Sequence, residues 1–198
     1  MVRLSKFGNC GGTLISSQHI LTAAHCELFA KSGTATLGDH DAGGSLEDKE
    51  KGEVTMKIKS RTNHPKYWLV DEVSGYDISI WTLEHPINFS KTIQPICLPT
   101  KEDEDYTGMK VETLGWGLSL WKPNWKAPKT NYQDKNLKSL KVTVLPNSKC
   151  KNAKWFSDRL RDAGKRFDET NAFCTGKENM DMENQWYGAN RGDSGGTH

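Results

Sequence analysis

The feature that most constrains the fold is a set of short stretches in which apolar and polar residues alternate. In Val54–Ile58 and in Leu140–Val144 the apolar residues occupy every second position. Successive side chains of a strand point to opposite faces, so this alternation predicts strands with one buried face. Residues 78–81 and 111–114 are further strand candidates. Turn-forming residues separate these stretches, and the sequence therefore predicts an all-β chain built as an antiparallel sandwich or barrel.

A single segment carries a helical pattern. Asn147 and Ser148 offer a capping start, and Gly164 is a natural stop. Between them, apolar residues recur at spacings of three or four: Cys150, Ala153, Phe156, Leu160 and Ala163. The segment from 147 to 163 is therefore predicted to be helical.

Length and composition fit a folded protein. The 198 residues suffice for one large domain or two small ones, and we expect a division near residue 110 into 1–110 and 111–198. Seven Trp, six Phe and five Tyr supply ample material for a core. A net charge of +2 gives no reason to expect nucleic acid or an anionic membrane as partner. No apolar run reaches the ~18–20 residues that a transmembrane helix needs.

Five cysteines stand at positions 10, 26, 97, 150 and 174, and none belongs to a CxxC pair. A structural zinc site or a thioredoxin-type motif is therefore not expected, and the six scattered histidines show no metal-ligand spacing either. Two disulfides with one cysteine left over is the simpler interpretation. It implies an oxidising compartment, so we expect a secreted protein that needs no metal or cofactor.

Three sites carry residues suited to nucleophilic catalysis. His25 follows two alanines and precedes Cys26, and its alternative is a structural histidine. Ser194 lies among three glycines in Gly192–Gly196, where the backbone can turn sharply and expose N–H groups as an oxyanion hole; its alternative is a polar turn. Asp77 precedes an apolar strand, and taken alone it reads as a loop aspartate. Together they supply a nucleophile, its base and the carboxylate that orients the base.

The same motifs, in order along the chain, resemble those of the trypsin/chymotrypsin family of serine peptidases. The resemblance runs from Cys10 to the end of the chain and rests on these segments: Cys10–Ile15, Leu21–Cys26, Asp77–Ser79, Pro95–Pro99, Gly115–Gly117, Phe173–Cys174 and Gly192–Gly196. It implies two antiparallel six-stranded β-barrels with the active site between them. It also implies a serine endopeptidase that acts on proteins or peptides through an acyl-enzyme, with His25, Asp77 and Ser194 as the triad.

The resemblance assigns further roles. It pairs Cys10 with Cys26 and Cys150 with Cys174. It makes the N–H groups of Gly192 and Ser194 the oxyanion hole, and Asp193 the residue that receives the new N-terminus after activation of a zymogen. Cys97 matches a cysteine that ties the catalytic domain of several relatives to a propeptide or light chain.

The chain departs from the family pattern at both ends. No activation sequence precedes Cys10, and the chain stops four residues after Ser194, so the second barrel is expected to be incomplete and activity of 1–198 alone to be weak. Gly188 stands where trypsin-like members carry an aspartate at the base of the specificity pocket. A small or apolar residue is therefore the expected preference at the cleaved bond.

Other interpretations fit less well. Arg191–Asp193 spells an integrin-binding tripeptide, but the resemblance places two of its residues in the active-site turn. Asp39, Asp41, Glu47 and Glu50 lie where some relatives bind calcium, although their ligand pattern does not fit cleanly and a solvated loop is the preferred interpretation. The second hypothesis of a different class is an inactive fragment or a non-catalytic homologue that acts as a binding or regulatory protein.

Overall fold

Nine strands form two antiparallel sheets in the described part of the chain. The computed structural model describes residues 1–4, 10–28, 33–42, 49, 52–67, 76–100, 105–117, 135–152, 173–176 and 194–196, the side chains of 150–152 excepted. The strands are β1 (Val2–Arg3), β2 (Gly11–Leu14), β3 (His19–Thr22), β4 (Thr34–Leu37), β5 (Val54–Asn63), β6 (Ser79–Leu83), β7 (Lys110–Gly115), β8 (Lys138–Leu145) and β9 (Cys174–Gly176). A 3₁₀ helix spans Ala24–Leu28 and an α-helix, α1, spans Asn147–Asn152.

The first six strands form a closed barrel in the order β1-β2-β3-β6-β5-β4. Closure depends on β1, which pairs with β2 on one side and with β4 on the other. The barrel interior is filled by apolar side chains that are almost fully buried, among them Val2, Leu4, Ile20, Leu37, Trp81 and Leu83. This closed arrangement leaves none of the six strands as a free edge.

The alternation in β5 follows the predicted pattern and then changes face. Val54, Met56 and Ile58 pack against the barrel core. The register with β6 shifts between Ile58 and Ser60, and beyond this β-bulge the side chain of Arg61 turns inward. Its guanidinium lies 4.7 Å from the centre of the Trp81 ring, a favourable cation–π contact. Because of the bulge, the first part of β5 contributes apolar side chains to the barrel core, whereas its last part contributes Arg61 to the contact with Trp81.

The second sheet has the order β7-β8-β9 in the described residues. Val142, Val144 and Cys174 are buried in it. Residues 40–42 of the barrel side reach this sheet: the carbonyl oxygen of His40 accepts a bond of 2.7 Å from the Leu137 N–H and one of 3.2 Å from the Trp116 indole. Asp41 and Asn136 add an antiparallel bridge. The two sheets are therefore joined by backbone pairing as well as by side chains.

The observed architecture confirms the predicted all-β fold, with a six-stranded barrel and a partial second sheet. The strand predictions at 54–58, 111–114 and 140–144 are confirmed, and the stretch 78–81 falls at the start of β6. The helix starts at Asn147 as predicted; positions 153–163 lie outside the described residues. The boundary near 110 stays a prediction. No helix in the described part of the chain is long and apolar enough to cross a membrane.

Candidate active site

His25 is held at the rim of the barrel by the short helix that follows β3. Ala24 and Cys26 on either side of it are buried, so the helix is anchored while the imidazole stays accessible. Cys26 forms a disulfide with Cys10 at the start of β2, with an S–S distance of 2.04 Å and a Cα–Cα distance of 5.9 Å. The small alanine and the disulfide together fix the position from which His25 projects.

Strand pairing brings Asp77 to His25. β3 ends at Thr22 and β6 begins at Ser79, and these two residues are partners in the antiparallel ladder. The residues just beyond each strand therefore meet at the same end of the barrel. His25 Nδ1–H donates to Asp77 Oδ2 at 2.5 Å, and the His25 backbone N–H donates to Oδ1 at 2.9 Å. The Asp77 carboxylate therefore accepts hydrogen bonds from both the ring and the main chain of His25.

The environment keeps Asp77 ionised. Burial is the largest influence and acts to raise the pKa of Asp77, but hydrogen bonds from the His25 side chain and backbone, attraction to His25 and the Ala24 N–H outweigh it. The pKa therefore lies below its ordinary value of 3.8. The His25 and Asp77 side chains are 17% and 18% exposed, so the pair is partly shielded from water and still reachable. An ionised carboxylate on Nδ1–H leaves Nε2 as the basic nitrogen of the neutral ring.

The segment Ser194–Gly196 lies against the same end of the barrel. The Gly11 N–H donates a 2.8 Å hydrogen bond to the Ser194 carbonyl oxygen, and the Cys26 sulfur is 3.5 Å from that oxygen. Gly195 has a φ of +71°, and a Cβ there would come within 2.2 Å of Thr22 Oγ1 and 2.7 Å of the Ala23 nitrogen. A side chain would be strained at this φ, and only glycine leaves room for this close approach. The Ser194 backbone is consequently seated beside the helix that carries His25.

Several other residues that the sequence predicts for the site do not contribute to the contacts around His25 and Asp77 described above. Gly188, Gly192 and Asp193 lie outside the described residues, as does the side chain of Cys150. Cys174 is disulfide-bonded. Cys97 is a free, exposed cysteine within the described segments.

The cysteines beside His25 do not form a metal site. The Cys10 and Cys26 sulfurs and a ring nitrogen of His25 lie within 4.8 Å of one another. Metals bind cysteine as the thiolate, and both sulfurs are consumed by the disulfide.

The expectation of a solvated acidic loop was wrong at Asp39. Its side chain is fully buried and forms an ion pair with Arg3 Nε. The reason is the pairing of β1 with β4, which carries Arg3 to the end of β4, where Asp39 follows. Arg3 and Asp39 show no local sequence signal of burial, because their pairing depends on two distant strands.

A closed antiparallel barrel with a His–Asp pair at its rim, and a glycine-flanked serine seated beside them, defines a trypsin-like architecture. Accordingly, the sequence model of the family described as Trypsin matches residues 1–198. The chain belongs to the trypsin/chymotrypsin-like family of serine peptidases.

Curated relatives include venom serine protease Bi-VSP of Bombus ignitus, 31% identical over 76% of this chain, and phenoloxidase-activating factor 3 of Holotrichia diomphalia, 33% identical over 81%. Serine protease filzig of Drosophila melanogaster is 33% identical over 71%. The chain spans 39%, 47% and 8% of the lengths of these proteins, respectively.

Solved structures share the fold. Human heparin binding protein superposes with a TM-score of 0.70 at 19% identity, covering 98% of this chain and 72% of that one. Neuropsin, a serine protease from mouse brain, superposes with a TM-score of 0.69 at 24% identity, covering 95% of this chain and 70% of the other.

Proposed function

We propose that this chain carries the catalytic triad of a secreted serine endopeptidase, with Ser194 as nucleophile, His25 as general base and Asp77 as its orienting carboxylate. The observation that carries the proposal is the 2.5 Å hydrogen bond from His25 Nδ1 to Asp77 Oδ2. The low pKa of Asp77 supports it, because a carboxylate that stays ionised stabilises the imidazolium formed during the reaction.

In the proposed reaction, His25 Nε2 accepts the Ser194 hydroxyl proton while Oγ attacks the scissile carbonyl carbon. The tetrahedral intermediate collapses to an acyl-enzyme when His25 returns that proton to the leaving amine. His25 then takes a proton from water, which attacks the ester carbon; the bond to Ser194 Oγ breaks, His25 returns the proton to Oγ, and the acid product leaves. The N–H groups of Gly192 and Ser194 are proposed to bind the oxyanion, and Asp193 to receive the N-terminus created by activation of a zymogen.

The substrate is proposed to be a protein or peptide with a small or apolar residue before the cleaved bond. Gly188 supports this preference, since it brings no carboxylate to the base of the pocket to pair with lysine or arginine. The names of the relatives place one in venom and describe another as a phenoloxidase-activating factor. Together with the disulfide, they support secretion and a place in extracellular proteolysis.

Cys97 is proposed to form a disulfide with a propeptide or light chain outside residues 1–198. It is exposed, and its neighbours Ile96 and Leu98 are 48% and 50% exposed. Two exposed apolar side chains flanking a free cysteine suit a covered interface. Peptide mapping of the full-length, unreduced protein should find Cys97 linked; a free Cys97 thiol there would contradict this part of the proposal.

A fluorophosphonate probe tests the catalytic assignment directly, because it labels only an activated serine. The full-length, activated protein should be labelled at Ser194. Labelling should disappear in Ser194→Ala and His25→Ala and persist in the control His85→Ala, which removes an exposed imidazole. Turnover of a peptide substrate should fall by roughly 10⁴-fold or more in the first two variants. An activated protein that takes up no label would instead be a non-catalytic homologue with a binding role.

A further inference from the structure

Asp77 sits at the apex of a tight three-residue turn. The Ile78 N–H donates to the Tyr76 carbonyl oxygen at 2.8 Å, an i to i+2 hydrogen bond. Tyr76 and Ile78 are therefore held close on either side of the carboxylate. Whatever fixes these two neighbours also fixes the direction in which Asp77 points.

His64 contacts both of them. Its backbone N–H donates to the Ile78 carbonyl oxygen at 2.9 Å. Its ring stacks on the Tyr76 ring with a centroid distance of 4.9 Å and an interplanar angle of 16°. The stack has a defined orientation, because His64 Nδ1 accepts a 3.2 Å bond from the Lys66 N–H, and Lys66 Nζ lies 5.1 Å from the centre of the Tyr76 ring.

The same end of β5 also reaches the helix that carries His25. Asn63, the last residue of β5, donates from Nδ2 to Glu27 Oε2 at 2.8 Å. Glu27 lies on the 3₁₀ helix Ala24–Leu28. Residues 63 and 64 therefore contact the neighbours of both members of the His25–Asp77 pair.

We propose that the stacked rings of His64 and Tyr76 are a positioning device for Asp77, keeping its two oxygens aimed at His25 Nδ1 and at the His25 backbone N–H. This proposal rests on the proposed role of Asp77 in catalysis. Without the stack, the turn at 76–78 keeps its internal hydrogen bond but loses the aromatic contact that resists its rotation. A misplacement of about 1 Å at such a site can lower turnover by roughly 10²-fold.

The test removes the aromatic ring of Tyr76 and leaves the His25–Asp77 pair unchanged in sequence. In the full-length, activated protein, Tyr76→Ala should lower kcat measurably, by up to roughly 10²-fold. KM should change little, because the contact acts on Asp77 and His25 and not on substrate binding. Tyr76→Phe keeps the stack and should retain wild-type kcat. Phe89→Ala, which removes an exposed aromatic ring after the last barrel strand, is the matched control and should also retain it.

A second readout does not depend on activity. The His25 Nδ1–H proton should give a downfield NMR resonance, recorded in a Ser194→Ala background to prevent self-cleavage. Tyr76→Ala should shift or broaden this resonance, whereas Tyr76→Phe should leave it as in the parent protein. A merely structural role would lower the melting temperature and leave the resonance in place.

The two proposals can fail separately. A wild-type protein that is inactive and takes up no label would contradict the catalytic assignment. The NMR resonance of the His25 Nδ1–H proton would still test whether Tyr76 positions Asp77. Wild-type kcat together with an unchanged resonance in Tyr76→Ala would overturn the positioning role. If Tyr76→Ala does not fold, Tyr76→Leu, which keeps an apolar side chain but no ring, takes its place; unchanged kcat and an unchanged resonance in that variant would equally overturn it.

Discussion

The backbone N–H of Gly11 donates a 2.8 Å hydrogen bond to the carbonyl oxygen of Ser194. Gly11 is the first residue of β2 and follows Cys10, whose disulfide partner is the neighbour of His25. The barrel that carries the His–Asp pair thus also binds the backbone of the proposed nucleophile. Thr22 Oγ–H, which donates to the Gly11 carbonyl at 2.7 Å, ties β3 to the same point.

Gly195→Ala is expected to move Ser194 away from Gly11 and weaken the hydrogen bond between them. The added methyl group would meet backbone atoms at 2.7–2.8 Å, namely the Ala23 nitrogen and the Gly11 oxygen, and backbone cannot move aside cheaply. We expect kcat/KM to fall by roughly 10²-fold.

Gly33→Ala is the matched control for this variant. Gly33 has a similar φ of +65°, but a Cβ there would meet nothing within 4 Å. It should cost about 1–2 kcal/mol of stability from the left-handed backbone alone and leave kcat/KM unchanged. Equal activity losses in the two variants would show that backbone strain, and not the contact with Thr22 and Ala23, is responsible.

The Asp77–His25 contact should make stability depend on pH in the acid range. Because the pKa of folded Asp77 lies below 3.8, ionised Asp77 stabilises the fold above that value, and the contribution is lost as the pH falls through the folded pKa. Asp77→Asn should therefore lower the free energy of unfolding by about 1.5–3 kcal/mol at neutral pH, and by less below pH ~3.8.

Urea unfolding at several pH values in a Ser194→Ala background measures this dependence. A deficit that stays constant with pH would contradict the interpretation, and Glu84→Gln, at an exposed carboxylate, serves as control.

The buried Arg3–Asp39 pair should show strong coupling. Removing either charge breaks this ion pair inside the barrel wall, so Arg3→Met and Asp39→Asn should each cost about 3–5 kcal/mol. The double variant should lose less than the sum of the two, with a coupling energy of about 0.5–3 kcal/mol from denaturant unfolding. Lys57→Met, at an exposed cation of β5, should change stability by no more than about 0.5 kcal/mol. Additive losses would mean that the two charges do not interact.

The Cys10–Cys26 disulfide should stabilise the barrel where the site is built. It closes a loop with a sequence separation of 16, and the chain-entropy treatment gives about 3 kcal/mol for that length. The double variant Cys10→Ala, Cys26→Ala should therefore unfold at lower urea concentration. Cys97→Ser in the 1–198 chain should leave the midpoint unchanged, since that thiol is free and exposed. A midpoint equally low in both variants would contradict this assignment.

Local pattern was sufficient for much of the fold. The alternation of Val54, Met56 and Ile58 predicted the inward face of β5, because that face is set by the period of the strand itself. The shift after Ile58 could not be predicted, since a β-bulge is defined against the partner strand, here β6. β1 was missed for a related reason: its two residues carry no period, and their burial comes from pairing with β2 and β4.

The candidate site divides in the same way. His25, Asp77 and Ser194 are proposed from short motifs whose residue types suit the chemistry. The contacts that hold them are not. Thr22 and Gly11 meet Gly195 only through tertiary folding, and the stack of His64 on Tyr76 needs the end of β5 beside the start of β6. A motif indicates candidate reacting groups, whereas the residues that hold them come from strands far apart in the chain.

The closed barrel has a consequence for biosynthesis. Its last strand ends at Leu83, so every contact between His25 and Asp77 is encoded before the second sheet begins at Lys110. Chains emerge from the ribosome N-terminus first, and early units can fold while later ones are still being made. We expect ribosome-bound chains arrested before β8 to resist limited proteolysis across the barrel. The proposed base would then be in place before the proposed nucleophile is synthesised, so a half-synthesised chain would lack the complete proposed triad.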